Sequence, residues 1–257
     1  MKQKKYNIDL CKGTGLIQET LLLLNLYVKG MSKNQMTSDA IKSNVLVKAS
    51  DRRIKDIVEV AFYKRFVNND PSVPEYLKEL IKNSLSLDVI GQLFLIYTSR
   101  TNLVLMDFIT DVYWPEVKKG TKSLDFTFSR KFISEILRHS ETIIGWSEGT
   151  QKRVATYIIS TLVDFRFLDK QRNVKPVFLN DITANYLAHE LHHSGLSDNA
   201  VADAIEWKIF GYSRYETIKH LERLSFQGHF ILQNSGELLK INWIHKNMEE
   251  LTHAILK

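Results

Sequence analysis

The chain has 257 residues, of which 44% are hydrophobic and 25% charged, the make-up of an ordinary globular protein. Its single cysteine, Cys11, excludes an internal disulfide and fits a reducing cytoplasm. The net charge of +6 lies entirely in residues 1–70, where 13 basic residues face 7 acidic ones; the remainder carries 22 of each.

The basic start gives way to Asn7, Asp9 and Lys12, not to the apolar core of a signal peptide. Thr14 to Val28 is then predicted as a helix with Leu16, Ile17, Thr20, Leu21, Leu24 and Val28 on one face and Gly30 as its terminator. A shorter helix follows over Ser32 to Asn44. Ser50 is a good N-cap for a third, running to about Val67. Ile54, Ile57, Val58, Ala61, Phe62 and Phe66 form its apolar stripe, with Arg52, Arg53, Lys55, Lys64 and Arg65 largely off it. Three short helices with basic side chains opening the third is the helix-turn-helix layout.

Asn68 to Pro74 is the clearest break in the chain. Beyond it, Glu75 to Asn83, Leu87 to Thr98, Thr101 to Trp114 and Ser129 to Arg138 read as helices, with a polar loop over Gly120 to Asp125. The longest apolar stretch, Val89 to Trp114, is broken by Arg100, Asn102 and Asp107 and is too interrupted for a membrane span. Two segments then repeat one theme, helix followed by β-hairpin. In the first, Ser147 precedes a helix from Thr150 to Phe165, and Phe167 to Asp169 and Val174 to Leu179 flank a turn at Gln171 to Asn173. In the second, Ser213 and Glu216 form a capping box on a helix to Phe226; Phe230 to Gln233 and Leu238 to Trp243 flank Asn234-Ser235-Gly236-Glu237.

The expected fold is mainly α and multi-helical, with short β-hairpins in the C-terminal half. Its parts are a basic helix-turn-helix-like unit over 1–70, a helical core over 71–145, a helix-hairpin unit over 146–180 and a winged-helix-like unit over 181–257. A basic excess confined to a small helical module marks a polyanion-binding surface. Lys33, Lys42, Lys48, Arg52, Arg53 and Lys55 are the candidate DNA contacts, with Arg52 and Arg53 placed to reach base edges. Lys152 and Arg153 extend them in a second cluster that also holds Arg166, Lys170, Arg172 and Lys175. About 4 to 6 phosphate contacts are expected from the N-terminal set, giving salt-sensitive and mainly non-specific binding. Residues 181–257 carry 7 basic and 10 acidic side chains, so a winged shape there points to packing or protein docking. The Lys118-Lys119 loop reads as a solvated connection.

His189-Glu190-Leu191-His192-His193 satisfies the H-E-x-x-H pattern, in which His189 and His193 would hold zinc with Glu190 as base. Ser194-Gly195 stops that helix at once, and an amphipathic helix with surface histidines explains the string more simply. A zinc-dependent hydrolase is therefore a minor alternative, and no catalytic residue, metal or other cofactor is expected.

Gly15-Leu-Ile-Gln-Glu-Thr through Lys48-Ala-Ser-Asp-Arg-Arg resembles the BrxA family of BREX bacteriophage-resistance systems. So do Trp207-Lys-Ile-Phe-Gly-Tyr, Leu221-Glu-Arg-Leu with Gly228, Ile231-Leu-Gln-Asn-Ser-Gly-Glu, Ile241-Asn-Trp243 and Met248-Glu-Glu-Leu251. The resemblance implies a mostly helical cytoplasmic protein that binds double-stranded DNA beside other BREX components, without catalytic residues; the interrupted apolar stretch leaves no membrane partner expected. A protein-interaction scaffold within that complex is the main alternative.

Overall fold

The computed structural model describes residues 6–47, 49–139, 145–236 and 238–255. The fold is mainly α, and the chain divides into two compact units. Unit 1 comprises residues 1–75 and 94–177; unit 2 comprises residues 76–93 and 178–257.

In unit 1 a short turn, Asp9–Lys12, precedes α1 (Ile17–Leu26), α2 (Lys33–Lys42) and α3 (Asp51–Lys55). The predicted first helix starts three residues late, because Leu16 lies at φ +50° and its left-handed backbone cannot continue a helical turn. Ser32 and Ser50 cap α2 and α3, accepting hydrogen bonds from the Gln35 and Arg53 amides. From Asp56 to Val67 the third helix is wound as a π-helix; the Asn68 amide, for example, bonds the Tyr63 carbonyl at 2.9 Å. That winding rotates side chains away from the 3.6-residue stripe read in the sequence. Tyr63, Arg65 and Val67 become buried, so Arg65 belongs to the interior.

α4 (Val73–Lys82) and α5 (Leu87–Thr101) each begin in one unit and end in the other. The chain turns sharply at Asn102, whose side-chain amide donates to the Thr98 carbonyl at 2.8 Å. α6 (Leu103–Phe108) continues through a π-type stretch, Ile109–Tyr113, into α7 (Trp114–Lys118). Among the described residues no single helix is long and apolar enough to cross a membrane. Val104, Leu105, Phe108 and Ile109 are instead fully buried. α8 (Phe126–His139) packs along α9 (Glu148–Asp164), which Ser147 caps. The core is aromatic: Tyr27, Phe62, Phe66, Phe94 and Tyr97 form a chain of ring contacts 5.4–6.0 Å apart. The first predicted hairpin does not form a ladder. Leu168 and Val174 make one isolated bridge and Ser123 and Asn173 another, so the turn after α9 pairs partly with the loop before α8.

In unit 2, α10 (Asp181–His193), α11 (Asp198–Asp203), α12 (Ile205–Ile209) and α13 (Arg214–Ser225) lead to the hairpin β1 (Phe230–Ser235) and β2 (Leu238–Trp243), then α14 (Met248–Ala254). The Ser213–Glu216 capping box forms as predicted. The hairpin turns at Gly236, φ +65°; the turn position Glu237 lies outside the described residues. Its register pairs Phe230 with Trp243 and Ser235 with Leu238. Asp198 fixes the outer edge of β2, one oxygen accepting from the Ile241 amide (2.9 Å) and the other from the Trp243 indole (3.0 Å).

Arg65 ties the start of the chain to the interior of unit 1. It donates to the Thr14 carbonyl at 2.9 Å and the Gly13 carbonyl at 2.5 Å. Gly15 lies beside them; its amide bonds the Asp164 carboxylate at 2.8 Å, and a Cβ there would sit 2.5 Å from the Asp164 Cβ. Arg65→Leu is expected to lower unfolding stability by about 2 to 4 kcal/mol, because one buried and one part-buried carbonyl lose a charged donor. Urea denaturation checks this; a loss below about 1 kcal/mol would contradict it.

Candidate nucleic-acid interface

The structure divides the predicted cations into two sets. Lys42, Arg52 and Lys55 are exposed on α2 and α3. Lys33 is also exposed and lies 4.0 Å from Glu59. Lys48 lies outside the described residues.

Four other basic groups of this region are turned inward or paired. Arg53 is half-buried and donates to the Lys12 carbonyl. Lys64 pairs with Asp9 at 2.8 Å and Lys12 with Asp56 at 3.1 Å. Arg65 is 4% exposed, and burial draws its pKa down to about 10, so it stays charged at neutral pH. Nothing local in the sequence marked these four, since their partners lie 41 to 55 residues away.

Lys152 and Arg153 stand exposed on the first turns of α9. Lys152 pairs with Glu148 at 2.5 Å, and with Arg130 it lines a cleft of about 230 Å³ between α8 and α9. The net charge follows the fold rather than the chain order. Unit 1 holds 26 basic and 17 acidic residues, +9; unit 2 holds 9 and 12, −3. All the predicted contact residues lie in unit 1.

The H-E-x-x-H string is part of the interior of unit 2. His189 is fully buried; its Nδ1 lies 2.9 Å from the Asn185 carbonyl and its Nε2 3.3 Å from the His229 carbonyl. Both nitrogens therefore face oxygens of the chain. His192 stacks on Trp243 with centroids 4.4 Å apart, and His229 Nδ1 meets His245 Nε2 at 3.2 Å. Among the described residues no three His, Cys, Asp or Glu side chains converge as a ligand set.

A second array has the spacing of a nucleophile, a base and an orienting acid. His220 Nδ1 lies 3.0 Å from the Tyr212 hydroxyl, and His220 Nε2 lies 3.3 Å from Asp181. Arg223 alters its chemistry, donating to both Asp181 oxygens and to His220 Nε2 at 3.0 Å. A neutral ring whose Nε2 accepts must carry its proton on Nδ1. That nitrogen then donates to Tyr212 and has no lone pair to take its proton. The array clamps α13 to α10.

A family model described as BrxA matches residues 4–190. The chain belongs to the BrxA family. Membership supports a BREX-associated role and, with it, other BREX components as partners. The chain is also similar to the crystal structure of an uncharacterized protein from Magnetospirillum magneticum. The TM-score is 0.61 at 16% identity over 74% of this chain and 95% of that one, a likeness of fold alone. No curated protein matches the chain. The BrxA match ends within α10, after the whole of unit 1.

The buried histidines give unit 2 a pH dependence of definite sign. Burial pulls the His189 pKa down to about 3 and lowers those of His192, His193, His220 and His229. Unfolded histidine titrates near 6.5, so below that pH the unfolded chain binds more protons and stability falls. It is fully present above about pH 6.5 and declines by up to about 1.4 kcal/mol per pH unit for His189 alone. Urea midpoints between pH 7 and pH 5 are expected to drop accordingly. NMR of the His189 ring should show no titration in that window, and a midpoint near 6.5 would contradict the assignment.

Proposed function

We propose that this BrxA-family chain is a non-catalytic, cytoplasmic, double-stranded-DNA-binding component of a BREX system. It holds the duplex mainly through phosphates, with little sequence preference. The observation that carries this reading is the exposure of Lys42, Arg52 and Lys55 on adjoining helices of a unit with net charge +9. Lysine and arginine at such a surface release condensed counterions from DNA, which makes binding tighter at low salt and indifferent to sequence. Lys33, Lys152 and Arg153, exposed in the same unit, and Lys48, which the sequence puts between α2 and α3, are the further contacts of this reading. Arg53, held on the Lys12 carbonyl, positions the opening of α3 and leaves the leading contacts to Arg52 and Lys55.

Unit 2 supports a second reading, a docking surface for a protein partner. Its charge is −3, and Phe226, Tyr215 and Leu238 are 91%, 70% and 66% exposed. Exposed aromatic and aliphatic side chains in an acidic setting suit a protein interface better than a phosphate backbone.

Fluorescence anisotropy with a duplex of about 30 bp, across a salt series, tests the first reading. About 4 to 6 contacts give a slope of log K against log salt of about −4 to −5. Arg52→Glu/Lys55→Glu, still folded, is expected to bind at least about 10-fold more weakly with a slope shallower by about 2. Parental binding by that variant would overturn the assignment to α3.

A further inference from the structure

Two stretches that the sequence separates by about fifty residues meet in unit 1. The Leu124 amide donates to the Arg172 carbonyl at 3.0 Å, and the Val174 amide to the Lys122 carbonyl at 2.8 Å. These bonds bring the Lys118–Asp125 loop against the Asp169–Lys175 turn. Residues 116–131 and 166–175 together hold 9 basic and 3 acidic side chains.

We propose that this junction is a second phosphate-binding platform, centred on Lys122, Lys170, Arg172 and Lys175, that engages the backbone of duplex DNA. The inference rests on the reading of the chain as a DNA-binding protein but uses different residues from α2 and α3.

Three observations favour phosphate over other partners. First, the acidic groups inside the junction are occupied by their own turns. Asp169 takes the Asn173 amide and side chain, both at 2.8 Å, and Asp125 takes the Thr127 amide and hydroxyl at 2.8 and 2.5 Å. Second, Arg172 is placed in advance. Its guanidinium lies 3.9 Å from the centroid of the Phe126 ring, and its backbone sits at φ +70°, a left-handed conformation costly for a side chain of this kind. Third, Leu124, Phe167 and Leu168 point inward, at most 1% exposed, and the half-buried Phe126 lies under Arg172. The exposed side chains of the loop and the turn are chiefly Lys122, Ser123, Lys170, Gln171, Asn173 and Lys175. A protein partner needs an apolar centre to its interface, which this surface lacks; a sugar-phosphate backbone needs only cations and hydrogen-bond donors.

The experiment compares the parent, Lys122→Glu/Lys170→Glu/Lys175→Glu, and Arg52→Glu/Lys55→Glu by anisotropy on one duplex of about 30 bp across a salt series, after thermal melting shows each folded. The triple variant is expected to bind at least about 10-fold more weakly, with a salt slope shallower by about 2 to 3. The matching Lys→Gln triple is expected to lose less than the charge reversal. Parental affinity and slope in the triple charge-reversal variant would overturn the platform while leaving the α3 surface in place. Loss in that triple variant with parental binding in the Arg52/Lys55 variant would instead overturn the α3 assignment and support the platform.

Discussion

One buried cation sets the arrangement of unit 1. Arg65 is 4% exposed, and removing a guanidinium from water is expensive unless its donors are satisfied. It is satisfied by the carbonyls of Gly13 and Thr14, with the charges of Asp9 and Asp164 close enough to support it. This fixes the segment 9–15 against the π-wound helix. That placement puts Asp9 beside Lys64, Asp56 beside Lys12, and the Lys12 carbonyl beside Arg53. The surface cations are those that this internal pairing leaves over, with Arg52, Lys55 and Lys42 foremost in the N-terminal region.

The same logic separates charge between the units. Read along the chain, the basic excess belongs to the first 70 residues; grouped by contact, it belongs to unit 1 at +9, and unit 2 is −3. The difference arises because residues 94–177 contribute 13 basic against 9 acidic side chains to the same unit. Unit 2 keeps its ionisable groups busy with itself. Asp198 holds the hairpin, Asp181 binds Arg223, and His189 packs as a neutral ring against Trp243 and Phe230. A string that imitates a metalloprotease motif is thereby used for packing.

Features governed by neighbouring residues were legible in the sequence. Ser50 and Ser213 cap the helices expected of them, Ser32 and Ser147 cap the helices expected to start at or after them, and the Ser235-Gly236 signal gives the hairpin. Ser197 starts α11 for the same reason. Features set by distant partners were not legible. A 3.6-residue period placed Arg65 outside, because π winding leaves no mark in composition. The first predicted hairpin failed because Val174 found Lys122 on another segment in place of a full partner strand. Of the predicted site, the exposed positions Lys42, Arg52 and Lys55 could be read from helix periodicity, whereas the inward turn of Arg53 depends on a carbonyl 41 residues away.

The Gly15–Asp164 bond joins positions 149 residues apart, and unit 1 is interrupted by a segment of unit 2. On the ribosome, at about 5 to 20 residues per second, Asp164 is made about 7 to 30 s after Gly15. For that interval the helices that bear Arg52 and Lys55 exist without the helix against which their unit closes. Truncation before α9 therefore leaves a basic fragment in which the Asp9–Lys12 turn, α6 and α8 lack the helix they pack on, a species prone to clump on nucleic acid rather than a minimal binding domain.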